Sequence, residues 1–212
     1  FIGAIAAFAL VALLARASRG QTAAGQIILA GIAGSQLFNA LTSFLITRSA
    51  NAEQARGILF WLLGNLSGVR WSSVSLTVPV VVLGLAVCVW HRRSLDAFTF
   101  GADSAASLGI PVRRVQATLI ATTALITAVM VSIVGSIGFV GLVVPHAVRM
   151  VAGVRHARLL PLSALSGALF MIGADALSRT VIKGQVLPIG VITALVGAPV
   201  FAVILIHGNR LR

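Results

Sequence analysis

The stretch that most constrains the fold is Gly135 to Pro161, GSIGFVGLVVPHAVRMVAGVRHARLLP. It is almost wholly apolar up to Val144, yet it carries Gly135, Gly138 and Gly141 and then Pro145. Glycines three apart fall on nearly one helical face, where a neighbouring backbone can approach closely. Pro145 removes an N–H and pushes Val144 away from helical geometry, which predicts a break or bend there. The basic residues Arg149, Arg155, His156 and Arg158 follow at once. The pattern predicts one helix rising, a break, a short descent and a positively charged landing. A glycine-rich core helix of a soluble protein is the alternative, and composition argues against it.

Hydrophobic residues make up 58% of the chain and charged residues 9%, far below the roughly 25% charged of soluble domains. That places the chain among polytopic membrane proteins. The net charge of +12 does not point to nucleic acid. The basic residues sit in small groups at the ends of apolar runs, and no basic face with interleaved aromatics appears. One cysteine, Cys88, lies inside an apolar run, so neither a disulfide framework nor a cysteine metal site is expected. Phe1 opens inside a hydrophobic segment, which predicts a piece of a longer subunit rather than a signal peptide.

Apolar runs divide the chain. Residues 1–14 are too short to span and read as the end of a truncated helix. Later spans are expected at 26–46, 74–90, 115–137, 159–177 and 188–206, with a short segment at 142–152 and an interruption of the last span at Gly197 and Pro199. In the first full span Gln36 and Asn39 are set to hydrogen-bond a neighbouring helix or to line a wet path. Thr118, Thr122, Thr123 and Thr127 can bond back to the carbonyl four residues earlier and need not mark a pore. Residues 47–73 form a mixed segment in which Trp61 and Trp71 suit a membrane–water interface. Residues 91–114 form the longest polar loop, with a short helix from Asp103 to Leu108 stopped by Gly109 and Pro111.

Alternation of the spans assigns Arg16, Arg19, Arg92, Arg93, Arg113, Arg114, Arg149, Arg155, Arg158, Arg210 and Arg212 to one side. Arg48, Arg56, Arg70, Arg179 and Lys183 fall on the other. The positive-inside bias puts the first set, the 91–114 loop and the C-terminus in the cytoplasm.

No enzyme is legible. A GxxxxGK[ST] phosphate loop is absent and paired carboxylates are missing. His91, His146, His156 and His207 show no metal-ligand spacing. His91, His156 and His207 read as flanking residues, and His146 as a hydrogen-bonded residue of the helix break. No cofactor or metal is called for, and a transporter of this composition must take its energy from a partner.

Five collinear stretches carry a resemblance: FWLLGNLS (60–67), GADSAASLGIPVRR (101–114), GSIGFVGLVVPHAVR (135–149), ADALSRT (174–180) and LPIGVITALVGAPVFAVIL (187–205). The chain resembles the FecCD-type permeases, the membrane subunits of ABC importers for iron-siderophores, haem and cobalamin. The resemblance implies an all-α bundle of the ten-helix type, with six to seven membrane segments within one permease domain over 1–212. It also implies a multi-pass protein of the bacterial cytoplasmic membrane, working as a homodimer or with a paired permease subunit. The implied partners are a cytoplasmic ATPase dimer, which would hydrolyse the ATP, and an external substrate-binding protein. By that likeness Asp103, Ser104, Ala105, Leu108 and Gly109 form the element that fits the ATPase, and Arg179 meets an acidic residue of the binding protein. The acidic residue usual directly after Gly101 is Ala102 here, with Asp103 one place later. Gly135, Gly138, Gly141, Pro145 and Pro199 are the expected packing and helix-break positions. The rival reading is a secondary transporter driven by an ion gradient, which broken helices at Pro145 and Pro199 would suit. A membrane scaffold that transports nothing is a second rival.

Overall fold

The computed structural model describes residues 23–49 and 51–208, together with Gly3, Ala6 and Ala9. The expected helix over 1–14 and the basic residues of the C-terminal tail lie outside what is otherwise described. The chain divides into two compact units, Phe1–Leu59 and Phe60–Arg212, and each is described by itself.

In the first unit, α1 (Ala23–Ser49) is one uninterrupted helix. The side chains of Gln36 and Asn39 are exposed on it and make no hydrogen bond among the described residues. Helix α2 (Ala52–Leu62) follows. It starts on a reciprocal cap, in which the Gln54 N–H donates to Asn51 Oδ1 at 2.9 Å and the Asn51 N–H to Gln54 Oε1 at 3.3 Å. Two donors without a helical partner are satisfied by that exchange.

The second unit contains α3 (Trp71–Trp90), α4 (Arg92–Phe98), α5 (Ala102–Ser107), α6 (Val112–Val134), α7 (Val140–Ala152), α8 (His156–Thr180) and α9 (Ile189–Gly208). Four helical segments across the chain are long and apolar enough to cross a bilayer: Leu29–Arg48, Trp71–Trp90, Val112–Val134 and His156–Thr180. Val140–Ala152 and Ile189–Ile204 are shorter apolar helices. Large apolar side chains point outward along them, Leu169 at 71% exposure and Val151 at 92%. Such a surface suits lipid, which is as apolar as the side chains it meets. The four threonines of α6 all turn inward on their own helix, donating to the carbonyls of Arg114, Thr118, Leu119 and Thr123 at 2.8–3.0 Å.

Glycine, not proline, ends the helices of this unit. Gly101, Gly109, Gly135, Gly153 and Gly184 all have φ between 75° and 99°, a conformation that stops a helix and that L side chains rarely adopt. Pro79, Pro145, Pro161 and Pro199 instead lie inside α3, α7, α8 and α9. The break expected at Pro145 is therefore misplaced: the chain leaves helix at Gly135 and resumes it at Val140. Pro145 sits in the second turn of α7, where the carbonyl it would crowd belongs to Gly141, a residue with no side chain to add to the crowding. The interruption expected at Pro199 is likewise absent, and α9 runs through it.

The connector between α2 and α3 holds this end of the unit together. The Asn65 N–H donates to Val134 O at 2.8 Å, and the Ile189 and Gly190 N–H groups donate to Gly64 O and Leu63 O at 3.0 Å. Ser136 Oγ donates to Leu62 O at 2.6 Å. The last carbonyls of α2, which lack partners within their own helix, are thus taken up by two distant turns. Beside this junction lies the core of Ala174, Ile189 and Ile192, packed by Leu66, Ile137, Met171 and Leu187.

Close backbone approach explains two glycines here. A Cβ on Gly135 would overlap Trp61 O, and one on Gly190 would overlap Leu63 O. A Cβ on Gly138 or Gly141 would meet nothing within 4 Å. The expected single glycine face does not exist, because the three residues lie on a helix stop, a turn and the following helix. Phe139, with φ 67°, is the sole described non-glycine residue with positive φ. Its side chain sits directly over Gly197 of α9.

Candidate functional site

The polar loop folds as a helical arm, α4 and α5, joining α3 to α6. Helix α5 begins after Gly101 and ends on a paired bond: the Gly109 N–H donates to Ala106 O at 2.9 Å and the Ile110 N–H to Ala105 O at 3.2 Å. With φ 80° at Gly109, this is the Schellman arrangement, in which a left-handed residue lets two carbonyls find donors past the helix end. Asp103, Ser104 and Leu108 are exposed on the arm, Leu108 at 73%. Ala105 is a correction to the sequence-based set, since at 0% exposure it cannot touch a partner. It is the inner, packed residue of a two-turn helix.

The arm is tied to α8. Asp96 Oδ1 accepts the His156 backbone N–H at 2.8 Å and lies 2.7 Å from His156 Nδ1. A carboxylate only accepts, so Nδ1 carries the proton in this bond. Burial alone would raise the Asp96 carboxyl, but the two bonds from His156 and the charge of Arg155 outweigh it and hold the group below its ordinary 3.8. Nothing local in the sequence signals a contact between residues 60 positions apart, and by position alone His156 reads as a flanking residue.

At the far end of α8, Arg179 donates to both oxygens of Asp175, Nε to Oδ2 at 2.8 Å and Nη2 to Oδ1 at 3.2 Å. The fork leaves Arg179 side-chain exposure at 46%, with the remaining guanidinium N–H groups directed outward from the pair. Helix α8 has 25 residues, so the two polar clusters stand about 37 Å apart along its axis.

His146, expected in a hydrogen-bonded break, is exposed within α7 and makes no such bond among the described residues. Between α7, α8 and α9 lies an apolar cavity of about 550 Å³ lined by residues including Val143, Val148, Leu162, Phe170 and Val200. No group of three His, Cys, Asp or Glu side chains that could hold a metal occurs among the described residues.

The geometry matches a known group of membrane proteins. The model of the FecCD transport family matches residues 1–207. The chain is 42% identical over 97% of its length to the cobalamin import system permease protein BtuC of Halobacterium salinarum, covering 54% of that protein. It is 36% identical over 98% of its length to the Fe(3+) dicitrate transport system permease protein FecD of Escherichia coli, covering 63%. With the hemin transport system permease protein HmuU of Yersinia pestis, identity is 35% over the whole chain and 63% of the relative. The chain thus spans between about half and two thirds of these relatives. Among solved structures, an ABC transporter described as of metal-chelate type, in an inward-facing conformation, superposes with a TM-score of 0.85 at 32% identity. That match covers 94% of this chain and 63% of the other.

Proposed function

Because the chain belongs to the FecCD transport family, we propose that it is part of the membrane permease of an ATP-driven importer for a metal chelate or corrinoid. Relatives named for cobalamin, ferric dicitrate and hemin import support that substrate class. The observation that carries the reading is the arm: a short helix with a rigid glycine stop, exposing Asp103, Ser104 and Leu108 between two apolar helices. Such a knob suits a cleft in a cytoplasmic ATPase. Arg179, at the opposite end of α8, is the docking contact for an external binding protein. A second permease copy completes the path, and the arm and C-terminus face the cytoplasm of a bacterium. An ion-driven carrier is less well served, since Asp175, the one carboxylate of α8, is already neutralised by Arg179.

The test is a single cysteine at Ser104 in a Cys88→Ala background. It should cross-link to the ATPase subunit and resist a membrane-impermeant thiol reagent applied outside intact cells. Labelling from outside, without any ATPase cross-link, would overturn both the sidedness and the role of the arm.

A further inference from the structure

The Asp96–His156 contact has no part in packing an apolar core, and its geometry is that of a cap supplied from another helix. The residue before α8, Arg155, has extended backbone and offers no side-chain cap of its own. The first N–H groups of a helix lack internal partners, and the helix dipole favours an anion there. Asp96 of α4 supplies that anion across 60 residues of sequence. Its two bonds to His156 are the only hydrogen bonds among the described residues that join the arm to α8.

We infer that Asp96 is a positioning residue that makes the arm and α8 move as one body, so that displacement of α5 is delivered along α8 to the Asp175–Arg179 end. The inference rests on the importer reading above. Two points on the arm are free to flex without the tie. Gly101 and Gly109 flank α5 with φ of 99° and 80°, and neither has a packed neighbour at its Cβ position. A push on α5 would be absorbed in those turns. With Asp96 held on the first turn of α8, α4 resists the push and passes it on. Helix α8 is the element suited to receive it, since it is the described helix that carries a polar contact at each end.

The experiment uses the assembled permease, ATPase and binding protein in proteoliposomes, and reads substrate taken up per ATP hydrolysed. Asp96→Leu removes both bonds and should lower that ratio about tenfold while the ATPase still co-purifies. Asp96→Asn keeps an acceptor for the His156 N–H without the charge and should lie between the two. An unchanged ratio in Asp96→Leu overturns the inference. So does a fall in uptake matched by loss of bound ATPase at constant ratio, which would mark an ordinary structural contact. If Asp96→Leu fails to accumulate, His156→Phe decides, because it keeps the main-chain bond and removes only the ring bond. Its ratio should drop about two- to threefold, and no drop overturns the inference. A wild-type complex that moves substrate without ATP would sink the importer reading itself, and the inference with it.

Discussion

The amide nitrogen of Gly190 lies 3.0 Å from the carbonyl oxygen of Leu63, joining residues from two turns that are distant in sequence. Neither residue uses its side chain. The contact exists because Gly190 has no Cβ, and one placed there would overlap that same Leu63 carbonyl.

Gly190→Ala and Gly135→Ala should therefore destabilise the assembled permease, whereas Gly138→Ala should not. Both sensitive positions face backbone, which cannot swing aside, and Gly135 adds a φ of 75°. The strain of a positive φ alone is on the order of 1–2 kcal/mol for an alanine. Thermal unfolding in detergent checks the contrast. Equal midpoints for Gly135→Ala and Gly138→Ala would contradict the junction as described.

Much of this architecture is legible in the sequence, and the reasons for the exceptions are physical. Apolar runs mark α3, α6, α8 and α9 because a bilayer demands long uninterrupted hydrophobicity. The 135–139 break shows as a glycine pattern, but Pro145 draws the expected position about ten residues too far along the chain. In a tightly packed membrane helix a proline costs one hydrogen bond, while a left-handed glycine ends the helix outright. The junction of Leu63, Gly64 and Gly190 leaves no trace, since main-chain bonds impose no residue type beyond a small one. Asp96 and His156 are each ordinary loop residues until the fold brings them together. The burial of Ala105 is hidden because a two-turn helix is too short to show a periodic face.

Gly109→Val should insert normally but uncouple ATP hydrolysis from uptake. The β-branched side chain cannot take φ 80° without strain, so the two bonds that close α5 would be lost. Gly109→Asn, which tolerates the left-handed region, should retain more transport. If valine and asparagine variants transport equally well, the helix stop is not what the arm requires.

Arg179→Glu should weaken binding of the external protein while expression stays near normal, and a charge-reversed partner should restore part of it. Asp175→Asn frees the guanidinium from its fork and should strengthen or preserve docking. Loss of the protein from the membrane with docking unchanged would show instead that the fork is purely intramolecular.

The Asp96 contribution has a defined pH sign. Its carboxyl is held below the ordinary 3.8 in the fold, so its stabilising effect is complete above that value and disappears as acid carries it through the lower, folded value. In His156→Phe, protection of the residue 156 amide, corrected for intrinsic exchange, should be flat between about pH 8 and about pH 5. Protection that declines steadily across that window would mean that the carboxylate is not the acceptor.

The most direct test of the central claim is uptake by proteoliposomes containing the permease, its ATPase and its binding protein. Labelled ferric siderophore, haem and cobalamin are supplied on the binding-protein side and ATP on the ATPase side. One of these substrates should accumulate only when ATP is present, and a protonophore should leave that accumulation intact. Accumulation driven by an ion gradient in the absence of ATP, and abolished by the protonophore, would contradict the account.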